Sequence, residues 1–229
     1  MEKILSIIAS IPLFNGLSPE HLQDLRNISV DKFYGKGKSV FMEGDECIGF
    51  FILASGKVKI FKLSPDGKEK ILHIFGPGNP FGEVPVFSGG RFPANAETIV
   101  KSHLIFFPRP AFIDLLKKQP SLSINMIAIL SNRLREFTTQ IENLSLKEVP
   151  GRLASYLLFL ISEQGREDVV TLPISKGQLA SLLGTIPETL SRILTKMSAQ
   201  QLIRVNGREI ILSDLPGLQE LSESGRLAE

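Results

Sequence analysis

Glu188, Ser191, Arg192 and Lys196 fall at steps of three, one and four, the spacing that gathers side chains on one face of a helix. Their chemistry suits the edges of DNA bases. An arginine bonds guanine O6 and N7 together, a glutamate accepts from cytosine N4, and a serine serves either base type. Glu188, Ser191 and Arg192 are therefore the candidate base readers. Lys176, Thr189, Lys196, Arg204 and Arg208 can bond phosphates, which fixes position without reading sequence.

Such a face needs a helix held at a fixed angle, and the flanking residues supply one. Ser175 with Gln178 three residues on is a capping box, so a helix starts there and buries Leu179, Leu182 and Leu183. Gly184 gives a tight turn. A second helix opens at Ile186-Pro187, where an early proline is tolerated, and buries Leu190, Ile193, Leu194 and Met197. Residues 202–205 and 210–212, joined through Asn206-Gly207, then read as a hairpin with a type I′ turn. The assembly is a winged helix-turn-helix. Helical proteins that bind no nucleic acid share its two-helix pattern, and Glu188 could instead complete a capping box with Thr185. Charge favours DNA: residues 171–212 carry five basic side chains against two acidic ones, although the whole chain is only +2. The tail reverses sign, with Asp214, Glu220, Glu223 and Glu229 against Arg226.

Upstream, Ile127, Leu130, Leu134, Phe137, Ile141 and Leu144 form an unbroken a/d seam. The residues between them are mostly polar, so this narrow stripe is expected to meet a second copy of itself in a parallel homodimer. Pro120 precedes this helix, and Val149-Pro150-Gly151 reads as a break after it, with Gly151 free to absorb a change in backbone angles. A further helix carrying Leu153, Tyr156, Leu157, Leu160 and Ile161 should end near Gly165.

The first 119 residues read differently. Short helices fill 1–30, with Ser18 as N-cap and Pro19 at N1. Strand candidates at 40–41, 50–53, 58–61, 71–75 and 104–107 follow, separated by glycine turns, with a hairpin expected at Asp66-Gly67. That pattern implies an antiparallel barrel or sandwich, and such an interior holds a small ligand or is filled by side chains. The expected division is 1–119, an effector-sensing domain; 120–147, a dimerisation helix; and 148–229, the DNA reader. Cys47 alone forms no internal disulfide and supports no cysteine-ligated iron–sulfur cluster within one chain. With no apolar run of membrane-spanning length and no signal-peptide pattern, a cytoplasmic protein is expected.

These features together resemble the cyclic-AMP receptor protein/fumarate-nitrate regulator family of bacterial transcription factors. The sharpest match is Glu188-Thr-Leu-Ser-Arg192, similar to the fumarate-nitrate branch; the cyclic-AMP branch has a further arginine where this chain has Pro187. The resemblance implies an α+β fold: an N-terminal antiparallel β-roll of the cyclic-nucleotide-binding type, a long dimerisation helix and a C-terminal winged helix-turn-helix. It further implies a TTGA-type half-site in an inverted repeat and RNA polymerase as a partner. Phe81-Gly-Glu-Val-Pro-Val-Phe87 resembles the start of the family's phosphate-binding cassette, which makes Gly82, Glu83, Arg91, Pro93 and Ala94 the implied effector pocket. Glu83 would take a ribose hydroxyl. The cassette's Arg-Ser pair, however, falls on Pro93-Ala94, where no side chain donates a hydrogen bond, and Arg91 is displaced by two positions. Cyclic AMP is therefore not the expected effector. The Phe92-Pro-Ala-Asn-Ala-Glu97 stretch is instead similar to members that sense other signals, including haem-using nitric-oxide sensors and regulators of the hybrid cluster protein. Haem would draw its axial ligand from His21, His73, His103, Met42 or Met126.

A barrel metalloenzyme is the contrasting reading. It would need clustered histidines, and this barrel offers His73 and His103, thirty residues apart, with no nucleophile–base motif. The chain is read as no enzyme. A constitutive DNA-binding dimer with an inert barrel is the other alternative.

Overall fold

The computed structural model describes residues 2–166 and 168–227, so Glu229 of the acidic tail lies outside it. The chain divides into two compact units, Met1–Leu134 and Arg135–Glu229, and the division falls inside one long helix.

The first unit opens with α1 (Glu2–Ala9), a 3₁₀ turn at Pro12–Phe14 and α2 (Pro19–Ile28). The Ser18 side chain accepts from the His21 N–H and Pro19 occupies the first turn of α2, as the sequence predicts. Eight strands follow: β1 (Val30–Tyr34), β2 (Ser39–Phe41), β3 (Gly49–Ser55), β4 (Val58–Leu63), β5 (Glu69–Phe75), β6 (Pro80–Phe81), β7 (Asn95–Thr98) and β8 (Ser102–Pro108). They make two antiparallel sheets, ordered β1-β8-β3-β6 and β2-β7-β4-β5. The β4–β5 hairpin turns at Asp66-Gly67, with Gly67 at φ +81°, which an L side chain rarely adopts. The sheets share one apolar core that includes Phe41, Phe51, Phe75, Phe81 and Phe106. Between β6 and β7 lies α3 (Val84–Ser88), and α4 (Arg109–Lys118) closes the roll by packing Phe112 edge-on to Phe50, 4.6 Å between ring centres.

Helix α5 (Pro120–Leu146) starts at the expected proline. Its first part is anchored: Leu122 and Met126 are buried in the core of the first unit, and Leu130 packs against it. The remaining seam positions are open, with Leu134 at 68% and Ile141 at 65% of full exposure.

The second unit holds α6 (Val149–Gln164), β9 (Val169–Thr171), α7 (Lys176–Leu183), α8 (Pro187–Ala199), β10 (Ile203–Asn206), β11 (Glu209–Leu212) and α9 (Leu215–Ser224). Here the expected hinge at Val149-Pro150-Gly151 is corrected. All three residues belong to the first turn of α6, and the chain turns at Lys147-Glu148 instead. Gly151 is not a free joint. A Cβ there would lie 2.5 Å from the Gly225 Cα, so glycine is what lets the residue after α9 approach α6. The Glu148 N–H donates to the Gly225 carbonyl at 3.0 Å, tying the linker to the same place.

Candidate nucleic-acid interface

The capping box that starts α7 forms as expected. Ser175 Oγ accepts from the Gln178 N–H at 3.2 Å, and Gln178 Oε1 accepts from the Ser175 N–H at 3.0 Å. Gly184 ends the helix in the left-handed region, φ +71° and ψ +40°. The next helix, α8, buries Leu190, Leu194 and Met197, with Ile193 half-buried. That burial turns Glu188, Ser191, Arg192 and Lys196 together into solvent. Its N-cap is Ile186 and makes no side-chain cap bond, so Glu188 is not engaged in a capping box with Thr185. Thr189 is half-buried, and its Oγ1 accepts from Arg192 Nη2 at 3.3 Å, which orients the guanidinium along the helix face.

Lys176, Arg204 and Arg208 are all exposed on the same unit. The wing differs from the expected turn. Asn206 pairs with Glu209 inside the ladder, so the two turn residues are Gly207 and Arg208 rather than Asn206 and Gly207. Only Gly207 has positive φ, the pattern of a type II′ rather than a type I′ turn. This shift puts Arg208 at the tip of the wing, with its Nε donating to the Leu172 carbonyl at 3.2 Å. A third strand, β9, extends the wing by pairing with β11. It is pinned to α6 by Gln164, which donates to the Thr171 carbonyl at 2.8 Å and accepts from its N–H at 2.9 Å.

Arg152 was not legible as a positioning group. From α6 its Nε donates to the Leu183 carbonyl at 2.9 Å and its Nη1 to the Lys147 carbonyl at 2.7 Å. One guanidinium thus fastens the end of α7 to the linker, and burial pulls its pKa down.

Inside the roll, the implied effector residues do not converge. Glu83 is 3% exposed, and its carboxylate is ion-paired with Arg133 of α5. The same guanidinium bonds the Pro80 carbonyl and sits over the Phe75 ring, 4.7 Å from its centre. Arg91 is exposed and donates to the Gly44 carbonyl at 2.6 Å. Pro93 also lies on the surface, its carbonyl accepting from Lys62 Nζ at 2.8 Å, whereas Ala94 is buried. Gly82, at φ +74°, has no room for a Cβ without pressing on the Phe41 and Phe92 rings at 3.1 Å. Those two rings stack at 3.8 Å, and Phe51, Phe75, Phe81 and Phe106 continue the aromatic filling.

The haem-ligand candidates scatter. His103 Nε2 meets Asp31 at 2.7 Å under a stacked Phe33, His21 lies on α2, Met42 is exposed and Met126 is buried in the core. His73 differs from these. Its ring packs on Phe75 at 4.3 Å, and burial, helped by the charge of Arg133, pushes its pKa down to about 4. It is a neutral imidazole at ordinary pH. Among the described residues no group of three or more His, Cys, Asp or Glu side chains could hold a metal ion, and no helix is long and apolar enough to cross a membrane.

Comparison with known proteins bears on both units. The profile of the cyclic nucleotide-binding domain matches residues 31–119, and that of the Crp-like helix-turn-helix domain matches residues 151–221. The chain is 31% identical over 212 residues to a CRP-like cAMP-activated global transcriptional regulator of Mycobacterium tuberculosis, covering 91% of this chain and 95% of that protein. It is 32% identical over 218 residues to the cyclic AMP receptor protein of Thermus thermophilus, covering 95% of each. The crystal structure of DNR from Pseudomonas aeruginosa aligns over 96% of this chain and 97% of that one, at 35% identity and a TM-score of 0.52.

Proposed function

The chain belongs to the Crp/Fnr family of DNA-binding transcription regulators, and from that premise we propose that it is a homodimer whose DNA affinity responds to a signal other than a cyclic nucleotide. Residues 1–119 sense, 120–147 dimerise and 148–229 read an inverted repeat of TTGA-type half-sites, in the cytoplasm and alongside RNA polymerase. The observation that carries the DNA assignment is the single exposed face of α8, where Glu188, Ser191 and Arg192 stand clear of any capping role. Arg192 reads guanine, Glu188 cytosine, and Ser191 adds a flexible donor and acceptor. Lys176, Thr189, Lys196, Arg204 and Arg208 hold the backbone. The exposed stripe of Ile127, Leu134, Phe137, Ile141 and Leu144 supports the dimer, and the family's two-fold operators match it.

The roll does not fit a cyclic nucleotide. Pro93 and Ala94 offer no side-chain donor, Arg91 is bonded away on the surface, and the Glu83 carboxylate is already taken by Arg133. This separates the chain from its cyclic-AMP-named relatives despite the shared fold. Haem or another redox or nitrosative signal fits better. His73 is the residue here that would hold the iron of such a group, because a neutral imidazole beside apolar rings offers one unprotonated ring nitrogen as a ligand. Haem would bring the iron centre that binds nitric oxide. The second reading, a constitutive DNA-binding dimer, is favoured by one observation: the phenylalanine rings already fill the roll.

The test starts with DNA sequences selected from a random pool. Arg192→Ala should cost about 1–3 kcal/mol on the selected site and relax preference at one base pair. Equal weakening on every sequence would make Arg192 a phosphate contact. The same protein, purified without oxygen, is then titrated with haem and nitric oxide, and separately with cyclic AMP. A Soret band that is lost in His73→Ala, with operator affinity changed by nitric oxide, supports the signal reading. Activation by cyclic AMP without haem overturns it, and no response to either leaves the constitutive dimer.

A further inference from the structure

The turn between α5 and α6 is short and has no local lock. Lys147 and Glu148 alone lie between Leu146, which ends α5, and Val149, which starts α6. Glu148 is the N-cap of α6 and makes no side-chain cap bond. The α5 ladder runs up to the turn, with the Lys147 N–H donating to the Asn143 carbonyl at 3.1 Å. The α6 ladder starts at once, with the Arg152 N–H donating to the Glu148 carbonyl at 3.1 Å. Two helices joined in this way pivot about the pair between them unless something distant holds it.

Gly225 is what holds it. This buried residue follows α9 in the left-handed region, φ +76° and ψ −6°. Helix α9 is itself fixed by the burial of Leu218 and Leu221 and by Asp214, whose side chain accepts from the Gly217 N–H at 3.0 Å. From that anchor the Gly225 carbonyl accepts from the Glu148 N–H at 3.0 Å. The glycine also touches both sides of the turn. A Cβ on it would lie 3.1 Å from the Lys147 Cα and 3.4 Å from the Leu146 carbonyl oxygen, while one on Gly151 would lie 2.5 Å from the Gly225 Cα. Glycine alone combines that φ with so close an approach. Arg226 adds an ion pair to Glu148 at 3.2 Å, but both side chains are mostly exposed, so it contributes little.

The same turn is tied to the DNA reader. Arg152 bonds the Lys147 and Leu183 carbonyls with one guanidinium, so the end of α7, and with it the Gly184 turn into α8, follows the linker. Phe137, Ile141 and Leu144, on the exposed stripe of α5, belong to the same unit as α8. The angle at 147–148 therefore sets the recognition helix against the part of α5 that a second copy would cover. We propose that Gly225 is a positioning residue for DNA reading: by holding this turn at one angle, it sets the spacing of the two half-sites that a dimer accepts. The inference rests on the dimeric, DNA-binding reading above.

The test uses the half-site selected from a random pool, built into duplexes as a single copy and as inverted repeats whose spacers run about two base pairs either side of the wild-type optimum. Each base pair turns one half-site by about a tenth of a helical turn away from the other, so a rigid dimer cannot follow it. In fluorescence anisotropy the wild type should bind one spacing on the order of tenfold tighter than its neighbours. Two variants remove the hold: a stop after Ser224, which keeps α9 and its buried leucines, and Gly225→Ala, which keeps the whole chain. Both should flatten the spacing profile, lose on the order of tenfold at the optimum and bind the single half-site as the wild type does. Arg226→Ala should keep the wild-type profile. A profile as sharp as the wild type's in either Gly225 variant overturns the proposal. So does affinity lowered by one factor at every spacing and on the single half-site, the result a merely structural role gives. A flattened profile in Arg226→Ala moves the role to the ion pair and also overturns it. If the wild type itself prefers no spacing, the dimer reading fails and this inference with it, whereas a sharp wild-type profile shared by the variants defeats the inference alone.

Discussion

Replacing Arg133 by methionine should unfold the roll far more readily than its place on a mostly exposed helix suggests. The guanidinium and the Glu83 carboxylate are 12% and 4% exposed, so little solvent screens them. Arg133→Met keeps length and apolar contact with Phe75 but leaves Glu83 charged and alone, and breaking a buried pair in this way costs about 3–5 kcal/mol. For the 134 residues of the first unit, an unfolding entropy of roughly 2 cal/mol/K per residue turns that into a fall in Tm of about 10–18 °C. Adding Glu83→Met removes the stranded charge, and the double variant should return to within about 1–2 kcal/mol of the wild type, because an apolar pair replaces a buried ion pair at little net cost. The assay is thermal unfolding by circular dichroism at one fixed chain concentration, since association raises apparent stability. If Arg133→Met stays within about 1 kcal/mol of the wild type, the pair is solvated and the reasoning fails. It fails equally if the double variant is no more stable than the single one.

Three other outcomes follow from the same geometry. His73 titrates near 4 in the folded chain against about 6.5 when unfolded. Its contribution to stability is therefore intact above the unfolded value and is lost as pH falls toward 4, about 3 kcal/mol in all; His73→Gln should flatten that part of the stability profile, and an unchanged profile refutes the shift. Gly151→Ala places a Cβ 2.5 Å from the Gly225 backbone and should cost about 1–3 kcal/mol in urea unfolding. Gly177→Ala, whose Cβ meets only Ser175 Oγ at 4.0 Å, should instead stabilise by about 0.5–1 kcal/mol; equal effects at the two sites would undo the packing argument. Leu134→Glu with Phe137→Glu, on the exposed stripe of α5, should sediment as a monomer, and a dimer persisting at low micromolar concentration would remove the seam assignment.

The exposed face of α8 was legible because its signals are local. Ser175 with Gln178, Gly184 and Pro187 each fix a backbone turn within a few residues, and α7 and α8 begin and end where they require. The long helix α5 was legible for the same reason, as a repeat inside one helix. What stayed hidden depends on partners distant in sequence. Arg133 reads as one more polar residue between seam positions, and only the fold brings it to Glu83, fifty residues earlier. Gly151 follows a proline and reads as a break; its actual reason is Gly225, at the other end of the unit. The wing was found but its turn was displaced by one residue, because Asn206 keeps its place in the ladder and leaves Gly207 to supply the positive φ. The sequence reading also placed Arg91 and Pro93 with Glu83, and the structure turns both outward.

The Phe41–Phe92 stack at 3.8 Å sets a clock as well as a volume. A molecule that took the place of these two rings would first have to part a pair packed as densely as a molecular crystal, so its arrival would be governed by how often the protein opens and not by how often the two collide. Its observed rate would level off as concentration rises, and departure would wait for the same opening. A signal received there would outlast the pulse that delivered it.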